Sequence, residues 1–254
     1  MSKKKEHLSQ TEKIERAISY TFEDKDLLWK SLKHFSSAHS KFNPDDHNRK
    51  LAFLGEAVMG LLAGDRKFSV ANLPTDFLAI KTLGDMGKKL HLEEFIKLGG
   101  TTANQNLDGI SNKIIGEAMA AVFGAIYLDQ KYNIYPVKEW CFTKLLPPLK
   151  INVTGTKTQK GYQNSAQLGT AVLHLIATDY LCDRFPTLKE SDLVGIRSGC
   201  QEQMMSASKL DEEFLGQMYI NNEFSSLRTN LINSLNTPHP PAPSPTRGEG
   251  ESEN

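Results

Sequence analysis

Cysteine, histidine and glycine-rich loops are the usual carriers of metal, redox and phosphate chemistry, and in this chain none sits at a working spacing. Cys141, Cys182 and Cys200 are too widely separated for metal-ligand pairs, and an odd, sparse set reads as reduced thiols used in packing. Seven histidines are scattered with none at i+4 from another, which gives no zinc pattern. Gly99-Gly100-Thr101-Thr102 lacks both the lysine of a phosphate loop and a preceding strand, and a helix-ending glycine explains it. Lys50, Lys88, Lys89, Lys97 and Lys113 stand singly, first as solvated faces and second as phosphate contacts. Basic and acidic residues number 30 each, so net charge offers no footprint for nucleic acid or an anionic membrane.

The elements that would position any site are helical. Ile14, Ala17 and Ile18 fall at helical spacing, and Asp24 is placed to cap a second helix over Lys25–Phe35 with a stripe of Leu27, Leu28, Trp29 and Leu32. Ala38–His47, with Asn43, Pro44, Asp45 and Asp46, reads as a loop. From Asn48 to Phe68 nearly every inward position is apolar, which predicts a helix buried on more than one side. Further helices are expected at about 74–83, 85–97 and 108–129, and alternation at period two is nowhere sustained. Pro147 and Pro148 end this unit, and Val153–Gln163 reads as a linker.

A second helical block follows. Shifted by 114 positions, Leu54, Gly55, Ala57, Val58, Leu61, Ala63 and Asp65 fall on Leu168, Gly169, Ala171, Val172, Leu175, Ala177 and Asp179, which marks an internal repeat. The repeat reads as partial, because no stretch in it matches Gly116–Asp129. The expected organisation is an all-α domain over 10–148, a partial helical repeat over 160–235, and a proline-rich, disordered tail over 236–254. No stretch reaches the roughly 20 apolar residues of a membrane helix, and the lysine-rich start has no signal-like apolar core. The expectation is a soluble, cytoplasmic chain.

Asn48-Arg49-Lys50-Leu51-Ala52-Phe53-Leu54-Gly55-Glu56-Ala57-Val58 resembles the signature helix of the ribonuclease III domain family, N-E-R-L-E-F-L-G-D-A-V. Two further stretches agree in the same order. Tyr20-Thr21-Phe22 with Ser31–Ser36 is similar to Y-x-F followed by A-L-T-H-x-S, and Glu117–Asp129 to the family's A-D-x-x-E-A-L-I-G-A-I-Y-L-D helix. The resemblance implies a helical endonuclease domain that cleaves double-stranded RNA with Mg²⁺ held by four carboxylates, two on each of two helices. Those four positions fall on Ala52, Glu56, Glu117 and Ala120. Glu56 and Glu117 are thus the candidate metal-binding and catalytic residues, and Phe53, Leu54 and Gly55 the candidate interface of a homodimer or an intramolecular pseudo-dimer.

The departures set the functional expectation. Two ligand positions are alanine, and Glu in place of Asp moves each remaining carboxylate by about one C–C bond, or 1.5 Å, where metal sites tolerate about 0.5 Å. In the second block the signature acids align with Ala166 and Thr170. No counterpart of the family's double-stranded-RNA-binding domain is recognisable after residue 150. One reading is a ribonuclease III-like protein with impaired catalysis that binds double-stranded or structured RNA in a processing assembly. The other is an active Mg²⁺-dependent endoribonuclease with a reduced acid set, borrowing a carboxylate such as Asp108 or Glu93.

Overall fold

Side-chain caps start five of the described helices where the sequence supplies Asp, Asn or Ser: Asp24, Ser111, Asn133, Asn164 and Asp211 each accept a bond from a first-turn N–H. The computed structural model describes residues 2–37, 46–65, 78–100, 109–146 and 164–236. In chain order the helices are α1 (Ser2–Ile18), α2 (Lys25–Ser31), α3 (Arg49–Gly64), α4 (Ile80–Lys89) and α5 (Asn112–Asp129). They continue as α6 (Ile134–Glu139), which runs into a π-helical turn at Trp140–Leu145, then α7 (Ser165–Arg184), α8 (Glu190–Ser208), α9 (Glu212–Ile220) and α10 (Phe224–Asn236). The fold is all-α, with an isolated parallel bridge between Lys33 and Lys97 and no named strand among the described residues. No described helix is long and apolar enough to cross a membrane.

Boundaries depart from the apolar periodicity where backbone groups find other partners. α2 stops at Ser31 rather than Phe35, because the chain turns to let His34 N–H donate to the Lys97 carbonyl at 3.0 Å and Lys97 N–H to the Leu32 carbonyl at 2.9 Å. Between residues 78 and 97 the structure has α4 and a short 3₁₀ turn, Leu92–Glu94, instead of two full helices. His91, at φ 56°, breaks the path between them. The linker Val153–Gln163 and everything from Thr237 onward lie outside the described residues, as does most of the 38–47 loop.

The core is organised by α3 and α5, which carry more fully buried side chains than any flanking helix. They run antiparallel at near backbone contact. A Cβ on Gly55 would lie 1.8 Å from the Ala120 carbonyl oxygen, and one on Gly124 would lie 2.1 Å from that of Leu51. Only hydrogen fits at either position, and the absence of side chains lets the helices approach this closely.

The second block repeats this contact. A Cβ on Gly169 of α7 would lie 1.7 Å from the Glu212 carbonyl oxygen, and one on Gly216 of α9 would lie 1.8 Å from that of Ser165. The expectation that nothing answers Gly116–Asp129 is therefore corrected: α9 does, with Gly216 in the place of Gly124 and Glu212 in that of Ala120.

The two halves meet through α3 and α7 and exchange polar contacts in a crossed pattern. Tyr127 of the first half donates to buried Asp179 of the second at 2.7 Å, while Tyr219 of the second donates to buried Asp65 of the first at 2.8 Å. Each aspartate also holds a cation from its own half, Lys138 on Asp65 and Arg228 on Asp179, the latter at 2.8 and 3.2 Å. Every buried carboxylate at this seam is thus both hydrogen-bonded and charge-paired, the condition under which such groups can be buried at all.

Two measurements test this packing. Gly55→Ala should cost at least about 2 kcal/mol, because backbone must move, whereas Gly60→Ala, where a Cβ meets nothing within 4 Å, should stay within about 1 kcal/mol and on the stabilising side. Equal shifts in urea denaturation would refute the helix contact. The second concerns pH: burial, helped by the Arg197 guanidinium, holds the His174 imidazole down at about 4. Its neutral form therefore contributes stability that is complete above the unfolded value of 6.5 and is lost as pH falls toward 4. Buried Asp179, pushed up to about 6 against the pull of Arg228, acts in the opposite direction, so a variant is needed to isolate the ring. Between neutral pH and about pH 4, His174→Gln should lose up to about 3 kcal/mol less stability than the parent chain. Parallel profiles for the two proteins would show that the ring carries no such coupling.

Candidate functional site

The glycine contact that joins α3 to α5 also fixes where their polar residues stand. Glu56 follows Gly55 on α3, and Glu117 lies about one turn before Ala120, whose carbonyl faces Gly55, on α5. Four residues before Glu56 is Ala52, 7% exposed, and three after Glu117 is Ala120, 1% exposed. At two of the four ligand positions, then, the structure has methyl groups packed into the core.

The remaining two carboxylates are matched to cations of this same chain. Partial burial raises the Glu56 carboxyl, Arg197 from α8 opposes that rise, and the Glu117 charge adds to it. Burial likewise raises Glu117, opposed by Lys113 one turn earlier on α5 and by Arg49 at the start of α3. His34, 4% exposed, places Nε2 3.9 Å from Glu117, and its Nδ1 lies 2.8 Å from Ser36 Oγ, which accepts from Gly99 N–H at 3.0 Å. Desolvation lowers the His34 pKa, and the fields of Arg49, His47 and Lys113 lower it further, which reports a positive potential over this corner.

Aromatic rings hold two of these cations in place. Arg49 lies 3.7 Å from the centroid of the Phe35 ring, and Phe35 in turn sits 4.2 Å from His34. Arg197 reaches across from the second block to lie 4.9 Å from the centroid of Phe53. Its Nη1 also donates to Thr178 Oγ1 at 3.4 Å.

These residues do not fit a magnesium centre. Among the described residues no group of three or more His, Cys, Asp or Glu side chains is placed to hold a metal ion. Only two carboxylates stand at the four positions, each already in the field of a cation of this chain, and the buried methyls of Ala52 and Ala120 supply no oxygen. Asp108 lies outside the described residues, and Glu93 stands in the 3₁₀ turn beyond α4. In the second block the register of Glu117 falls on Lys209, in the turn ahead of α9, and that of Ala120 on Glu212.

The three residues expected at an interface divide. Phe53, 7% exposed, points to the second block under Arg197. Leu54 lines a cavity of about 260 Å³ at the seam, together with Lys50, Tyr132, Asp179, Cys182 and Pro186. Gly55 faces the other way, into α5. Sequence reasoning gave no role to Arg49, Arg197 or His34. Arg49 carried a signal, since it stands where the signature has Glu, whereas the reach of Arg197 depends on how two distant segments dock.

The sequence profile of the Ribonuclease-III-like family matches residues 24–149. Ribonuclease 3 of Campylobacter concisus is 32% identical over 185 residues, covering 68% of this chain and 78% of that protein. Ribonuclease 3 of Nitrobacter winogradskyi is 30% identical over 128 residues, covering 47% of this chain and 48% of that one. The nuclease domain of ribonuclease III from Campylobacter jejuni aligns with 54% of this chain and 98% of its own, at 27% identity and a TM-score of 0.43. The chain spans about half the length of several of the curated relatives it matches. With 32% identity over more than two thirds of a ribonuclease 3 and a family profile over residues 24–149, the chain belongs to the ribonuclease III family.

Proposed function

We propose that this chain is a ribonuclease III-like protein that binds double-stranded or structured RNA and has lost most of the family's cleavage activity, so that it serves RNA processing by holding RNA rather than cutting it. The observation that carries this reading is the pair of buried methyl groups, Ala52 and Ala120, at two of the four ligand positions of a scaffold that is otherwise preserved. Phosphodiester hydrolysis by metal ions needs charge stabilisation and an activated water, and each is forfeited when a ligand set loses half its oxygens. No step of the proposed role uses magnesium.

The second block belongs to the same proposal. Its two glycine-locked helices repeat those of the first, and α7 covers α3 at the place where the resemblance implies a partner subunit. The chain then acts as its own pseudo-dimer in the cytoplasm, with 10–148 as one half and 160–235 as the other. Duplex RNA is recognised largely by shape, through backbone and 2′-hydroxyl contacts over the minor groove, and these need no metal ligand.

The test is a cleavage assay on a long perfect RNA duplex with Mg²⁺ and with Mn²⁺, run beside a binding measurement. Cutting should be slower than that of a complete four-carboxylate domain by at least about 10³-fold, while weak, salt-sensitive binding persists. The combined variant Ala52→Glu, Glu56→Asp, Glu117→Asp and Ala120→Glu should raise cleavage, provided that circular dichroism shows the helices intact. Robust Mg²⁺-dependent cutting by the unaltered chain, abolished by Glu117→Gln, would overturn the proposal in favour of an active endoribonuclease.

A further inference from the structure

The site inherited from a metal-dependent family carries more cations than carboxylates, and two of those cations, Arg49 and Arg197, lie against aromatic rings. Arg49 and Lys113 flank Glu117 from two different helices, Lys113 at i−4 on the same face of α5 and Arg49 at the head of α3. Arg49 is not a freely waving surface residue: its guanidinium lies flat enough on Phe35 to sit 3.7 Å from the ring centroid, and the Phe35 ring is itself braced at 4.2 Å by buried His34. The field of Arg197, which lies over Phe53 from the second block, acts on Glu56, while those of Arg49 and Lys113 act on Glu117. In the signature that this helix resembles, position 49 is acidic and positions 52 and 120 are also acidic, so three of the changes run in one direction, from attracting a cation to attracting an anion.

We infer that Arg49 and Lys113 hold a backbone phosphate of RNA directly, at the place where the family's pattern would put magnesium between protein and phosphate. The inference rests on the RNA-binding reading above and adds the contact and its independence from metal. An arginine fork braced on an aromatic ring loses little freedom when it binds a phosphate, and the neighbouring lysine adds a second point charge. Phe35 sets the position of Arg49, and the field of Arg197 offsets the charge of Glu56.

The probe is a short fluorescein-labelled RNA duplex, titrated with the full-length chain in EDTA and again in Mg²⁺ over a range of salt concentrations. The expected result is the same affinity in both, with a slope of log K against log salt that becomes shallower by about 1 in Arg49→Ala and again in Lys113→Ala. Melting temperatures of the two variants, compared with the parent, establish that each remains folded. Binding that appears only with Mg²⁺, or binding in EDTA that the double variant leaves unchanged, overturns this inference while the RNA-binding reading stands. No binding of the duplex under either condition overturns both.

Discussion

The helices that carry Glu56 and Glu117 are held together by one contact, the antiparallel crossing of α3 and α5 at Gly55 and Gly124. Helices separated by ordinary side chains lie some 8–10 Å apart. Here the backbones touch, and positions 52, 56, 117 and 120 are brought to a common face without any loop having to be ordered. The same contact dictates that the face is rigid: residues on either side of it are buried in the core from Ile115 to Tyr127, so side chains at its rim are held by helices that have nowhere to move. That the chain forms the contact a second time, between Gly169 and Gly216, says that the geometry is the repeating unit even where the sequence around it has drifted.

The seam between the halves follows from a different constraint. Asp65, capping the C-terminus of α3, and Asp179, within α7, bury carboxylates at 4% and 1% exposure. An unpaired charge there would cost several kcal/mol. Each is satisfied by a tyrosine from the opposite half and a cation from its own, so neither half meets the requirement alone. Hydrophobic contact between α3 and α7 brings the halves together, and the crossed tyrosines fix how they are aligned, since a shift along the helix axis would strand both carboxylates.

How much of this was legible in the sequence depends on whether the signal was local. The long helices α3 and α5, the Asp24 cap and the repeat of the signature helix were readable, because each is written in residues a few positions apart. The counterpart of α5 was not. A shift of 114 aligns Gly55 with Gly169, but Gly124 meets Gly216 at a shift of 92, so a single offset passes over α9, whose resemblance to α5 is carried by Gly216 and Tyr219. The candidate site divides in the same way. Ala52, Glu56, Glu117 and Ala120 were identifiable from motif register, whereas the cations that answer the two glutamates come from α8, from the first turn of α3 and from α5, and only their packing brings them together. Gly55 was misread as an interface residue because apolar character does not tell which of two buried faces a residue occupies.

The loss of two acids and the gain of cations are parts of one physical problem. A helix pair that positioned four carboxylates would be self-repelling without bound metal, and removing two of them lowers the repulsion but leaves Glu56 exposed at the rim and Glu117 half-buried, both with pKa values raised. Deleting those as well would have left the rim apolar; retaining them requires counter-charge. The field of Arg197 from α8 reaches Glu56 while its guanidinium lies over Phe53. The docking of the second block thus places a guanidinium over Phe53 whose field reaches Glu56, so the electrostatics of the first half depend on the second.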